Sequence, residues 1–343
     1  TLLMFLSMTQ LTQSATVTRE GYATANTDTN RISLKARLIK GLLALTGARH
    51  RLEKAVDHGR FSSEAAPLPG RMTRRYPVHV DTVEGRTCWT IGDISQTKQV
   101  MLYIHGGGYI TNITSYDWKF IDVLIEKTGA TFVVPDYPLA PAANCADVYH
   151  FFSIFYGHLL QKVRPDQLVV MGNSAGGGIA LGFAQYLRQH SRPQPARIVL
   201  NSPLLDISMT NPDIPALEKY DKALSAEGIR KAGRLYAAGR DVQDYQVSPL
   251  YGSLDGLAPI ALFIGTHDIL VADARRLKSV ADADGISIAY VEYPRMFHLW
   301  MVLPSLPESK RAIRQLTDWI GRAGGNSDAA AVLNTDDDES RRL

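Results

Sequence analysis

The chain has 343 residues, of which 45% are apolar and 21% charged, and its formal net charge is +3. That length supports one large α/β domain with an added lid, or two modest domains, and the composition excludes wholesale disorder and collagen-like repetition. Arg71, Arg74 and Arg75 form the tight basic cluster ahead of the C-terminal tail, and read as a solvated loop they leave no nucleic-acid footprint.

The opening TLLMFLSM is apolar but too short to span a bilayer, and it reads as a poorly ordered leader. Apolar residues at helical spacing between Arg31 and Arg60 predict two short helices. The segment SSEAAPLPGRMTRRYP reads as loop. Eight short apolar runs follow as strand candidates: YPVHV, TCWTI, QVMLYI, TFVVP, QLVVM, RIVLN, PIALFI and ISIAYVEY. Helix-period stretches at 116–127, 148–163, 175–189 and 272–284 separate most of the later ones, which predicts crossover connections and a mainly parallel sheet. From Leu205 to Val247 the alternation fails and helix-compatible pieces take over. This reads as an insertion covering the carboxyl edge of the sheet, where such sheets hold their sites. A last helix is predicted through SKRAIRQLTDWIGRA, and the tail after it is polar.

Chemistry enters where the run LVVM meets GNSAGGG. A strand that turns at once into a helix needs positions without Cβ, and Gly172 and Gly176 supply them around Ser174. A hydroxyl at that apex needs a base before it becomes a nucleophile. The loop His105-Gly106-Gly107-Gly108 follows another strand candidate, and its Gly106 and Gly107 amides, with that of Ala175 at a helix start, are candidate donors to an oxyanion. Neither stretch matches a phosphate-binding glycine pattern. An acid and a histidine should follow in that order. Asp268 in THDIL and His298 in FHLW each follow a strand candidate, which places them at the same sheet edge. Asp206 in NSPLLDIS is the rival acid, and Asp268 is preferred because its loop neighbours that of the histidine. Among the other histidines, His50, His58, His150 and His158 read as structural or solvated, His105 as a brace for the glycine loop, and the His267-Asp268 pair lacks a second cluster at metal-ligand spacing. Cys88 and Cys145 fit neither a disulfide framework nor a zinc site, which favours a reducing, cytoplasmic compartment, with secretion left open.

With HGGG at 105–108, DYPLAP at 136–141, GNSAGG at 172–177, THDIL at 266–270 and FHLW at 297–300, the chain resembles the hormone-sensitive-lipase-like branch of the α/β-hydrolases over about Tyr76 to Gly321. The resemblance implies a Ser-Asp-His esterase without cofactor, and a lid built from N-terminal helices and a piece inserted after the sixth strand. Residue by residue it places the nucleophile on Ser174, the acid on Asp268, the base on His298 and the oxyanion donors on Gly106, Gly107 and Ala175. Three positions depart from the family pattern: Asn173 stands where Asp usually precedes the serine, Pro138 where Arg is common, and Ile269 where Pro usually follows the acid.

The resulting expectation is an α/β-hydrolase fold with a mainly parallel eight-stranded sheet flanked by helices and a helical cap. Its parts are a leader and cap segment at 1–60, a catalytic domain at 61–325 carrying the cap insertion at 205–247, and a disordered tail at 326–343. Tyr109, Tyr137 and Trp300 are candidate pocket walls. The expected activity is hydrolysis of short- to medium-chain acyl esters. Amide or lactone hydrolysis by the same triad, and ligand binding without turnover on the same scaffold, are the alternatives. The expected partner is a small-molecule ester, with no nucleic acid and no stable membrane insertion, and a homodimer is left open.

Overall fold

The computed structural model describes residues 23–24 and 32–321. Nine strands form one sheet in the order β1-β9-β8-β7-β6-β4-β5-β3-β2. In chain order they are β1 (Ala23–Thr24), β2 (Val78–Val83), β3 (Arg86–Ile91), β4 (Val100–Ile104), β5 (Thr131–Pro135), β6 (Leu168–Asn173), β7 (Arg197–Asn201), β8 (Ile260–Gly265) and β9 (Ile288–Tyr293). All eight predicted strands are present. The ninth, β1, is a two-residue piece paired in parallel with the outer side of β9, too short for any periodic signal. The β2–β3 hairpin and the β3–β5 pair are antiparallel, and every other pair is parallel. Glu84 and Gly85 make the hairpin turn, both at positive φ (49° and 73°), the conformation that matches the twist of the two strands.

Each central strand sends alternate residues to opposite faces, and both faces are covered. Leu102, Val170, Leu200 and Leu262 enter one core, while Met101, Val169, Val199 and Phe263 enter the other. Because both faces exclude water, these strands read as continuous apolar runs rather than alternating ones.

Among the described residues ten α-helices flank the sheet: α1 (Leu34–Leu45), α2 (Arg51–Asp57), α3 (Gly70–Arg75), α4 (Ser115–Thr128), α5 (Cys145–Leu160), α6 (Ala175–Gln189), α7 (Ile214–Leu217), α8 (Ala226–Ala237), α9 (Val271–Ala283) and α10 (Pro307–Gly321). Helix α5 starts three residues before the apolar period suggests, because Asn144 and Asp147 cap each other's backbone reciprocally, which satisfies amide donors that would otherwise be orphaned. Helix α3 corrects the loop reading of its segment. Met72 is buried, and Arg71 and Arg75 reach Asp122 on α4 at 3.0 and 3.6 Å. That packing stabilises a helix too short to show a period, and it gives two of the clustered arginines acidic partners in place of solvent alone. The leader and tail readings fall outside the described residues.

The insertion between β7 and β8 carries α7 and α8, and α8 packs on α2. A Cβ on Gly228 would stand 3.0 Å from the amide nitrogen of Glu53, so glycine lets the two helices approach. Their rims are tied by ion pairs from Lys231 to Asp57 at 2.7 Å and to Glu53 at 3.4 Å, and just outside the helix pair Arg49 meets Glu218, after α7, at 3.0 Å.

Candidate active site

Strands β4, β6, β8 and β9 run parallel, so the loops that leave their carboxyl ends meet on one edge. Between β6 and α6 the chain reverses at Ser174, whose φ of 53° and ψ of −119° are strained for a residue with a side chain. The strain is held by close backbone packing. A Cβ on Gly172 would collide with the Gly176 carbonyl, and one on Gly176 with the carbonyls of Ile104 and His105. The Ser174 amide donates to the Asn201 carbonyl at 2.9 Å, and its own carbonyl accepts from Gly177, Gly178 and Leu204. The apex is thus fastened from both sides and presents its hydroxyl beyond the sheet edge.

The His298 imidazole faces that hydroxyl, with Nε2 2.9 Å from Ser174 Oγ and Nδ1 2.8 Å from Asp268 Oδ2. Asp268 is fully buried, and its Oδ1 accepts from the Leu270 amide at 3.0 Å. An ionised carboxylate only accepts, so Nδ1 carries the proton and Nε2 is left to accept from the serine. Burial pulls the His298 pKa down, but the charge and hydrogen bond of Asp268, with Asp221 behind it, outweigh burial and leave it raised. The rival acid lies elsewhere. Asp206 accepts from Tyr251 Oη at 2.8 Å, from the Ser208 amide at 2.8 Å and from Ser248 Oγ at 3.4 Å, which makes it a structural anchor for the start of the insertion.

Gly106 lies against the nucleophile: a Cβ there would stand 3.1 Å from Ser174 Cβ. Gly107 takes a φ of 111°, a conformation open to glycine. Behind this loop, His105 Nδ1 bonds the Gly106 carbonyl at 2.8 Å, and its ring stacks on Tyr137 at 4.3 Å. The Tyr137 hydroxyl donates to the His105 carbonyl at 2.8 Å. Tyr137 is therefore a fully buried brace behind the loop, which corrects its reading as a pocket wall. Trp300 is also fully buried, packed with Tyr293 at 4.4 Å in the core on the opposite face of the sheet from Tyr109. Its nearness to His298 in sequence misled, because a short helical turn at 300–302 carries the ring under the sheet. Tyr109 keeps its place among the candidates. Its ring stacks on Tyr236 of α8 at 3.9 Å, joining the glycine loop to the insertion.

Two features had little sequence signal. Asn173, one of the three family departures, belongs to a buried polar chain: it donates to the Tyr103 hydroxyl and accepts from Asn201 Nδ2 at 3.1 Å, while Tyr103 donates to Asp117 at 2.7 Å. An amide both donates and accepts, which suits a position between a phenol and a second amide. Asp221, from the insertion, accepts from the amides of Ala223 and Leu224 and from that of Ile269, the residue after the triad acid, at 2.9 Å. Burial, then the nearby charge of Asp268, pushes its carboxyl up to about 6. Nothing local in KYDKALS announces that contact. His267 stands between a cation and an aromatic ring. Lys40 Nζ donates to its Nδ1 at 2.5 Å and Tyr220 stacks on its ring at 4.8 Å, while burial, then the charge of Lys40, lowers its pKa to about 4. Among the described residues no group of three or more His, Cys, Asp or Glu is arranged to hold a metal ion.

A serine on a strained strand-to-helix turn, bonded to an imidazole that is bonded to a buried carboxylate, on the carboxyl edge of a parallel sheet, defines a hydrolase-type α/β protein. Residues 101–302 match the family described as alpha/beta hydrolase fold, and the chain belongs to it. It is similar to an esterase of Acinetobacter venetianus, 28% identical over 66% of this chain and 75% of the relative. It is also similar to an acetyl-hydrolase of Streptomyces hygroscopicus, 29% identical over 73% and 84%. Among solved structures, an esterase from the bacterial hormone-sensitive lipase family superposes with a TM-score of 0.72 at 26% identity, covering 84% of this chain and 98% of that one. The hormone-sensitive-lipase-like branch is therefore its place within the family.

Proposed function

We propose that this chain is a carboxylic-ester hydrolase acting on short- to medium-chain acyl esters through an acyl-enzyme. The relay from Ser174 through His298 to Asp268, at 2.9 and 2.8 Å, carries the reading. Ser174 Oγ attacks the ester carbonyl as His298 Nε2 takes its proton, and the carbonyl oxygen, now negative, is held by the amides of Gly106, Gly107 and Ala175. His298 then gives the proton to the leaving alcohol. Water repeats the cycle against the acyl-serine and restores the enzyme. Asp268 keeps the ring in the right tautomer and stabilises its cation between the two transfers.

Helices α1 and α2 with the 205–247 insertion serve as the cap. Leu52 on α2 stands over Gly108, where a Cβ would meet it at 2.7 Å, and the Tyr109–Tyr236 stack closes the space between glycine loop and cap with two buried rings. That aromatic wall, and a relative named acetyl-hydrolase, support a short acyl site. A p-nitrophenyl ester series from acetate to palmitate tests the proposal: turnover should peak at the short to middle chains, and Ser174→Ala should lower kcat/KM by ~10³ or more. Near-normal turnover in that variant ends it.

A further inference from the structure

Helix α1 carries an apolar stripe that no part of the described fold covers. Leu34, Leu38, Leu42 and Leu45 are 70%, 66%, 60% and 87% exposed. Nine large apolar side chains are exposed among the described residues, and four of them stand on this one helix while the other five are scattered. At about 100° per residue, positions 34, 38, 42 and 45 fall within one narrow sector. Lys35 and Arg37, both exposed, lie on either side of it.

The stripe does not come from a detached helix. Its opposite face, with Ala36 buried and Ile39 and Leu43 half-buried, packs on the core that takes Met101 and Phe263. Ser33 caps the helix start and donates through its amide to Glu308 at 2.6 Å, and Lys35 reaches the Ser305 carbonyl at 3.3 Å. Lys40 bonds His267 at 2.5 Å and the Arg295 carbonyl at 3.1 Å, on the two loops that carry Asp268 and His298. The leucines are thus held outward by a helix fixed beside the site.

Charge selects the occupant. The exposed charged side chains beside the stripe, Lys35 and Arg37, are both cationic, and the helix from Leu34 to Leu45 has no Asp or Glu. A leucine stripe rimmed by cations is the pattern of helices that lie in the headgroup plane of an anionic bilayer. Helix α1, at 12 residues, is too short to cross a bilayer, so its contact is peripheral. We propose that the leucine face of α1 docks this protein on an anionic lipid surface. Resting on the ester-hydrolase reading, it follows that the substrates include esters of amphiphiles whose scissile carbonyl lies at headgroup depth.

The test is flotation of the full chain with vesicles of phosphatidylglycerol and phosphatidylcholine in equal parts, alongside vesicles of phosphatidylcholine alone. The wild type should float with the anionic vesicles, bind the neutral ones at least tenfold more weakly, and lose affinity as salt is raised. The double variant Leu38→Gln/Leu42→Gln and the pair Lys35→Glu/Arg37→Glu should each weaken anionic-vesicle binding at least tenfold. Both should hydrolyse soluble p-nitrophenyl acetate at the wild-type rate, which reads folding and the ester-hydrolase reading independently of docking. Wild-type flotation that is absent, or unchanged in the leucine variant, overturns the proposal. So does light scattering that shows a wild-type dimer and a monomeric leucine variant, since the stripe would then join two copies.

Discussion

The turn at Ser174 and the contact between α2 and α8 are held together by opposite means. The turn is all backbone: carbonyls pressed against glycines, with a peptide amide and carbonyl bonded to β7 and the chain after it. The helix contact leans on side chains at its rim, where Lys231, Asp57 and Glu53 are 26%, 44% and 25% exposed. Backbone packing leaves one geometry and resists substitution, whereas exposed ion pairs contribute about 0–1 kcal/mol each and rearrange readily. The serine therefore sits on the part that sequence change cannot easily move, and the helix contact is the part that can vary.

The sharpest way to break this comparison is at the two buried aspartates. Asp268→Asn should lower kcat by ~10³–10⁴, because an amide donor opposite Nδ1 stabilises the wrong tautomer. Asp206→Asn should leave kcat within a few-fold and instead lower stability by about 1–3 kcal/mol, as one of its two accepting oxygens becomes an NH2 that cannot accept; steady-state kinetics beside a urea melt separates the two. Reversed effects would hand the acid role to Asp206.

Asp221 links the insertion to the loop of the triad acid and should give a middle-sized effect. General-base catalysis needs neutral His298, whose pKa is raised by the charges around it against the pull of burial, so kcat/KM should climb with pH along a limb above the ordinary imidazole value of ~6.5. Asp221→Asn removes one of those negative charges, which lowers the His298 pKa and moves that limb to lower pH. It also turns an amide group toward the Ile269 N–H, loosening the acid loop, and kcat should fall by about three- to tenfold. An unmoved limb in the pH profile contradicts the coupling.

Tyr236→Ala opens the stacked wall and should raise kcat/KM for octanoate relative to acetate by about tenfold, within the range that a few buried methylenes allow; an unchanged ratio would place the acyl chain elsewhere. Smallest of all, Lys231→Met should shift stability by less than about 1 kcal/mol and leave acetate hydrolysis as it was, as measured by thermal melting and kinetics.

How much of this was readable from the residues follows the same division. The eight strands could be found because both sheet faces are buried, so each writes a continuous apolar run, and the triad loops could be ordered because parallel strands put their carboxyl ends together. Helix α5 was misplaced by three residues because its start is set by the Asn144–Asp147 capping box rather than by apolar period. Helix α3 was missed because six residues cannot show a period, and its stability comes from α4. Trp300 was misjudged because neighbours in sequence diverge at a tight turn. Asp221 was invisible, since its role arises only when the insertion folds back onto a loop 48 residues further along.

The central claim is that Ser174 is a nucleophile activated by its two partners. Treating the intact protein with a fluorophosphonate, which mimics the tetrahedral adduct, and mapping the product by mass spectrometry tests it directly. The account predicts one adduct per chain, on the peptide holding Ser174, absent in Ser174→Ala and strongly slowed in Asp268→Asn. Labelling on another residue, or an adduct formed at the same rate without the serine, would contradict it.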